Sequence, residues 1–370
     1  MKRRAFLTTA ANTAATAAVS GLAVGTVSAP ALAQGTPAVR WRMATSWPKS
    51  LDTIHGSAEA MCHRIAQLTE GKFEIRPFAG GEIVPAGQVL DAVQNNTVEC
   101  GHTLASFYIG KNTAYGIDGG LPFGLNARQH AAWLHYGGGM ELLRDFYGRN
   151  GLVNFLVGNV GVQMGGWYRK EIKSVEDLNG LKFRVGGFGG LVLTKLGVVP
   201  QQIAASDIYT GLEKGTIDAA EWIGPYDDEK LGFAKVAKYY YTPGWWEGSA
   251  AITGLVSTAA WNNLPDPFKV AFETAANEQA LLMQAKYDAK NPEALRRLVG
   301  MGVQLRAFPR PVMEACYKAS MEVLKENAEK NPDFAKIYDS WKTFHDTSNS
   351  WFALAENQLD SFRYTAQRKA

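Results

Sequence analysis

The chain has 370 residues and nearly balanced charge, 38 basic against 35 acidic side chains. Without basic runs it offers no electrostatic footprint for nucleic acid or an anionic membrane surface, so those partners are excluded. Three scattered cysteines, Cys62, Cys100 and Cys316, form neither a disulfide framework nor a Cys-x-x-Cys metal pair, and the six histidines lack His-x-x-x-His spacing.

The chain opens on Lys2, Arg3 and Arg4, followed by Phe6 and Leu7 and a mild apolar run from Ala10 to Val27. The run closes on Ala31-Leu32-Ala33 before Gln34, the small-x-small pattern of a cleavage site. Residues 1–33 therefore read as a signal peptide, and the paired arginines favour the twin-arginine route. A membrane anchor is disfavoured, because a spanning helix needs roughly 18–20 strongly apolar residues. The expected product is a soluble periplasmic protein with 35 basic and 35 acidic residues.

About 337 mature residues exceed one typical core, so two lobes are expected. Val39 to Met43 alternates as a strand, with Trp41 and Met43 on one face. Asp52 to Glu70 carries Ile54, Ala58, Met61, Cys62, Ile65 and Leu68 at helical spacing, and Gly71 ends it. Phe73 to Arg76 returns as a strand, Gln88 to Thr97 as a helix and Cys100 to Leu104 as a strand. This βαβαβ order predicts a parallel sheet with its ligand site beyond the carboxyl ends of the strands. Further strands are expected at Val153–Val157, Val162–Tyr168, Leu181–Val185 and Ile217–Ile223. Helices are expected at Leu191–Leu196 and Asp207–Lys214, then at Pro267–Leu298, Arg310–Lys330 and Phe334–Gln367. Short crossings between two α/β series suggest lobes hinged about a cleft, which is a ligand clamp.

Arg184 sits in an apolar strand that ends in glycine, where its buried guanidinium needs an anion. Its planar fork suits bidentate capture of a carboxylate, either from a ligand or from an Asp or Glu of the same protein. Gln163, Glu221 and Trp222 lie at expected strand ends, and their side-chain and main-chain oxygens suit sodium or calcium rather than a transition metal. The Gly186–Gly190 turn, with Asp207 about twenty residues on, suggests dinucleotide binding and a twin-arginine-exported oxidoreductase. However, Val192 stands where the third glycine of G-x-G-x-x-G belongs. Tyr239–Tyr241 and Trp245-Trp246 read as core and rim, with some of them, near Glu247, walling the cleft. Asp227-Asp228-Glu229 reads as a solvated loop or helix start. No nucleophile–base arrangement stands out, so no enzyme is expected.

Three segments resemble the solute-binding family of TRAP (tripartite ATP-independent periplasmic) transporters: Trp41–Trp47, Gly180–Val185 and Glu213–Ala219. Gly158–Trp167, Gly197–Ile203 and Glu221–Gly232 resemble its 2-oxo acid branch, and the likeness covers essentially the whole mature chain. The resemblance implies a two-lobed periplasmic binding protein fold with a helical C-terminal segment. Lobe 1 would hold 34–161 and about 250–292, lobe 2 would hold 162–249 and about 293–333, and 334–370 would form the C-terminal helix. It implies that Arg184 clamps a ligand carboxylate. Gln163, Glu221 and the Trp222 carbonyl would hold a sodium or calcium ion that chelates the ligand's carboxylate and keto oxygens. Asn159, Tyr108, Phe107 and Glu247 would complete the ligand contacts, and TRAP permease subunits would be the membrane partners. The 2-hydroxy acids, such as lactate, remain an alternative ligand. Ala105 to Gly110 departs from the branch's richer tyrosine and tryptophan run, which implies a pocket of different size and polarity. A homodimer through Phe334–Gln367 is also implied, with Trp341, Phe344, Trp351 and Phe352 as anchors or, equally, packed on their own lobe.

Overall fold

A computed structural model describes residues 37–367; the leader expected at 1–33 lies outside the described residues. Eleven strands follow in chain order. They are β1 (Val39–Thr45), β2 (Phe73–Phe78), β3 (Cys100–Thr103), β4 (Leu152–Asn159), β5 (Trp167–Tyr168), β6 (Lys182–Arg184), β7 (Val199–Gln201), β8 (Ala219–Ala220), β9 (Tyr239–Thr242), β10 (Ala251–Ser257) and β11 (Gln304–Ala307).

The first sheet has the order β2-β1-β3-β10-β4. Alternation in β1 places Trp41 and Met43 in the core, and the Ile54–Leu68 helix crosses over to β2, which pairs parallel with β1. The sheet expected to be parallel is mixed, because β10 inserts antiparallel between β3 and β4. All seven residues of β10 are buried, as a central strand covered on both faces requires. The second sheet has the order β11-β9-β5-β8-β6-β7 and is also mixed.

The chain passes from the first sheet to the second between β4 and β5 and returns between β9 and β10. The two crossings are bonded to one another: Val160 N donates to Ala250 O at 3.0 Å and Gly244 N to Gln163 O at 2.9 Å. This corrects the strand expected over Val162–Tyr168, of which only Trp167-Tyr168 joins the ladder. Gly161 and Gly166 take positive φ (73° and 83°), a region that breaks extended pairing. The strand expected over Ile217–Ile223 likewise shortens to Ala219-Ala220. The 35-residue helix Asp266–Gly300 packs on β4 and on the short Pro225–Leu231 helix, with Pro292 inside it.

The C-terminal segment is two helices, Pro332–Leu354 and Glu356–Gln367, broken at Ala355. Trp341 is buried, stacked between Tyr338 and His345, and so packs on its own body. Trp351 is 62% exposed, and Phe352 lies under the Arg128 guanidinium. No helix among the described residues is long and apolar enough to cross a membrane.

Candidate ligand-binding site

A small cavity lies where the ends of the two sheets face one another. Trp47 comes from just beyond β1, Leu104 and Phe107 from beyond β3, and Arg184 and Gly186 from the end of β6. Glu221 to Ile223 follow β8, and the crossings bring Val160 and Gln163 from one side and Trp246, Glu247 and Ala250 from the other.

Arg184 is 2% exposed, and its acceptors are all protein oxygens. Its Nη1 donates to Glu221 Oε1 at 2.5 Å and to Glu221 O at 2.6 Å, and its Nε donates to Ile203 O at 3.3 Å. Of the two anions weighed from sequence, the structure therefore supplies the internal carboxylate. Among the described residues Nη2 has no acceptor, so the fork is only half used. The guanidinium also lies 5.1 Å from the Trp222 ring centre, which fixes its plane.

Glu221 and Glu247 are both buried beside this arginine. Burial pushes the Glu221 carboxyl above the usual range, against the pull of the Arg184 charge. Burial, compounded by the Glu221 charge, raises Glu247 well above that range. Gln163 joins them: its Nε2 donates to Glu247 Oε2 at 3.1 Å, and its Oε1 accepts from Trp246 Nε1 at 3.2 Å. Two buried carboxyl groups beside one guanidinium leave the site rich in hard oxygen atoms. Among the described residues no cluster of three His, Cys, Asp or Glu exists. The Gln163 amide oxygen, the Glu221 carboxyl and the Trp222 carbonyl are hard oxygens, the kind that sodium and calcium take as ligands.

Arg184, Gln163, Glu221, Trp222, Phe107 and Glu247 all line the cavity, whereas Asn159 and Tyr108 do not. Asn159 Oδ1 accepts Gly161 N at 2.8 Å and its Nδ2 reaches Ser249 Oγ, so it ties the two crossings together. The Ala105–Tyr108 turn directs Phe107 into the cavity and Tyr108 back into the core. There the Tyr108 hydroxyl bonds Thr103 Oγ1 at 2.7 Å and Leu90 N at 3.3 Å. Sequence reasoning missed the apolar wall of Trp47, Ile54, Leu104, Val160, Ile223 and Ile252, whose one visible signal was position near strand ends.

The acidic run is also corrected. Asp227 and Asp228 do start the Pro225–Leu231 helix, but they are buried, bonded to Tyr287 OH at 2.8 Å and Tyr240 OH at 2.6 Å. The glycine turn is closed as well. The helix Gly187–Lys195 begins within it, and a Cβ on Gly187 would lie 3.0 Å from Ser106 Cβ, so protein occupies the space a pyrophosphate would need. Outside the cavity lining, Asp52 receives Lys286 Nζ at 2.9 Å and Tyr226 OH at 3.2 Å, and it pairs with Lys230.

The sequence pattern of bacterial extracellular solute-binding protein, family 7, matches residues 43–331. A monocarboxylate 2-oxoacid-binding periplasmic protein of Nostoc sp. is 49% identical over 368 residues, covering 99% of this chain and all of that protein. A TRAP transporter solute-binding protein from Bordetella bronchiseptica RB50 is 62% identical, with a TM-score of 0.89 over 90% of this chain and 99% of that one. Its crystal structure is a mixed-occupancy dimer with copurified calcium and picolinate in the active site of one copy and an apo site in the other. A TRAP periplasmic solute-binding protein from Pseudoalteromonas atlantica, with bound sodium and pyruvate, is 36% identical with a TM-score of 0.85, over 88% of this chain and 99% of that one. These proteins are receptors that bind solutes, not enzymes, and nothing in them favours a dinucleotide oxidoreductase. The chain belongs to the bacterial extracellular solute-binding protein family 7, with the two-lobed α/β fold of the TRAP solute receptors.

Proposed function

We propose that this protein captures a small 2-oxo monocarboxylate of the pyruvate kind in the periplasm and passes it to TRAP permease subunits in the membrane. The observation that carries this reading is the buried Arg184–Glu221 pair beside Glu247, on the wall of the cavity. A ligand carboxylate adds negative charge to a site whose one guanidinium is already paired with Glu221, and desolvating it there is costly without a further positive charge. Gln163, Glu221 and the Trp222 carbonyl would hold a sodium or calcium ion, and its charge would bridge the protein oxygens to the carboxylate and keto oxygens of the ligand. Arg184, anchored through Nη1, keeps Nη2 for the ligand carboxylate. Phe107, Trp246 and Trp47 exclude water around it. The calcium, sodium, pyruvate and picolinate of the relatives support this chemistry.

A second reading, a flat heteroaromatic 2-carboxylate, is favoured by the picolinate of the 62%-identical relative and by the aromatic walls here. Lactate-like 2-hydroxy acids fit the same donors. Export through a twin-arginine leader at 1–33 belongs to the same reading, as does a homodimer that uses the exposed Trp351, Leu359 and Phe362. Titration calorimetry of the mature protein with pyruvate, lactate and picolinate, each with calcium, sodium or chelator, tests the assignment. Cation-dependent binding of pyruvate is expected. Binding of sugars or dicarboxylates instead, or of nothing, would overturn it.

A further inference from the structure

Trp47 stands where three walls of the cavity meet. Its ring lies 6.3 Å from Trp222 and 6.1 Å from Phe107, and the residue is 1% exposed. The indole N–H does not serve the cavity. It donates to His102 Nδ1 at 2.8 Å, one strand away on β3, and the imidazole packs edge-on to the indole.

His102 is fully buried. Because Nδ1 accepts, the ring proton must sit on Nε2, and among the described residues Nε2 has no partner. A buried N–H without an acceptor is a cost that an apolar side chain would not carry. Among the described residues the one side-chain hydrogen bond His102 makes is to Trp47, so that bond is what the imidazole contributes here. An aspartate would also accept the indole proton, but it would bury a charge. Burial keeps the imidazole neutral, its pKa pushed down to about 3.

We propose that His102 is a positioning residue for ligand binding. By accepting the indole proton it fixes Trp47 as a rigid wall against Phe107 and Trp222, and so sets the length of acid the cavity accepts. This rests on the cavity being the 2-oxo acid site. His102 does not touch the ligand. It acts through Trp47, and through Trp47 on Trp222, whose carbonyl is assigned to the cation.

The test uses full-length mature protein carrying His102→Leu, which removes the acceptor, and His102→Asn, whose amide oxygen can stand in for Nδ1. In ligand-free, ¹⁵N-tryptophan-labelled protein, the Trp47 indole resonance (identified with Trp47→Phe) should move in His102→Leu and stay near its wild-type position in His102→Asn. With calcium present, His102→Leu should weaken pyruvate binding about ten-fold while weakening 4-methyl-2-oxopentanoate less, so the ratio of the two dissociation constants changes. His102→Asn should restore that ratio to within about two-fold. Should His102→Leu not fold, Trp47→Phe removes the donor instead and should shift the ratio in the same direction. An unmoved indole resonance, an unchanged ratio, or equal loss of both acids without rescue by asparagine would overturn the proposal. Failure of wild-type protein to bind either acid would overturn the ligand assignment instead, while the indole resonance would still report the Trp47–His102 contact.

Discussion

Two pairs of buried carboxylates have opposite fates. Glu221 and Glu247 line a cavity with Arg184, while Asp227 and Asp228 do not line it and bond Tyr287, Tyr240 and Trp167. Burial raises the proton affinity of all four. What separates them is the neighbour. A guanidinium at the cavity wall leaves an electrostatic demand for something outside the protein, whereas phenol and indole donors hold one oxygen of each aspartate from within. Perturbed acids alone therefore do not locate a site; perturbed acids facing a cavity and a part-used arginine do.

The comparison breaks most sharply at Arg184. Arg184→Ala strands two buried carboxylates and removes the anion clamp, and breaking a buried pair costs on the order of 3–5 kcal/mol. Pyruvate affinity should fall at least a few hundred-fold by calorimetry while the fold persists; micromolar binding retained in this variant would sink the clamp. Glu221→Gln comes next. It should lower ligand and cation affinity together, by about 10–100-fold, so a variant that binds pyruvate normally after chelation would detach the cation from Glu221. Asp52→Asn weakens an exposed cluster outside the cavity lining, in which Asp52 bonds Lys230 and Tyr226 of the Pro225–Leu231 helix and Lys286. Stopped-flow release of ligand should speed up a few-fold and lose part of its salt dependence.

The aspartate pair should respond in stability and not in binding. Asp228 has its pKa pushed up to about 7 by burial, above an unfolded value of about 3.9. Its contribution to stability is therefore complete below about pH 4 and is lost as pH rises through 7. Asp228→Asn keeps an acceptor for Tyr240 and Trp167 without the charge. It should raise the melting temperature by roughly 2–4 °C at pH 8 and by little at pH 5, with pyruvate affinity unchanged. A loss of pyruvate affinity in this variant would erase the distinction between the two pairs.

Much of this was legible in the sequence where periodicity is strong. Val39–Thr45, Ile54–Leu68 and Arg310–Lys330 follow from alternation and helical spacing. Arg184 stood out because a charge inside an apolar strand must be answered by something. Gln163 and Glu221, which line the cavity, were singled out on strands that the structure shortens, since Gly161 and Gly166 turn the chain into a crossing whose bonds go to a distant segment. The aspartates looked solvated because their tyrosine partners lie 60 and 12 positions away. Trp47 and His102 carry no local signal at all, because their bond spans 55 positions and exists only once β1 and β3 pair. Periodicity reports which face of an element is buried, not which buried group answers which.

The most direct test of the central claim is calorimetric titration of pyruvate into chelator-treated mature protein, before and after calcium or sodium is restored. The account predicts no measurable binding without the cation and saturable binding with one site per chain once it returns. Equal affinity in both conditions would contradict the bridging cation, and no binding in either would contradict the 2-oxo acid assignment itself.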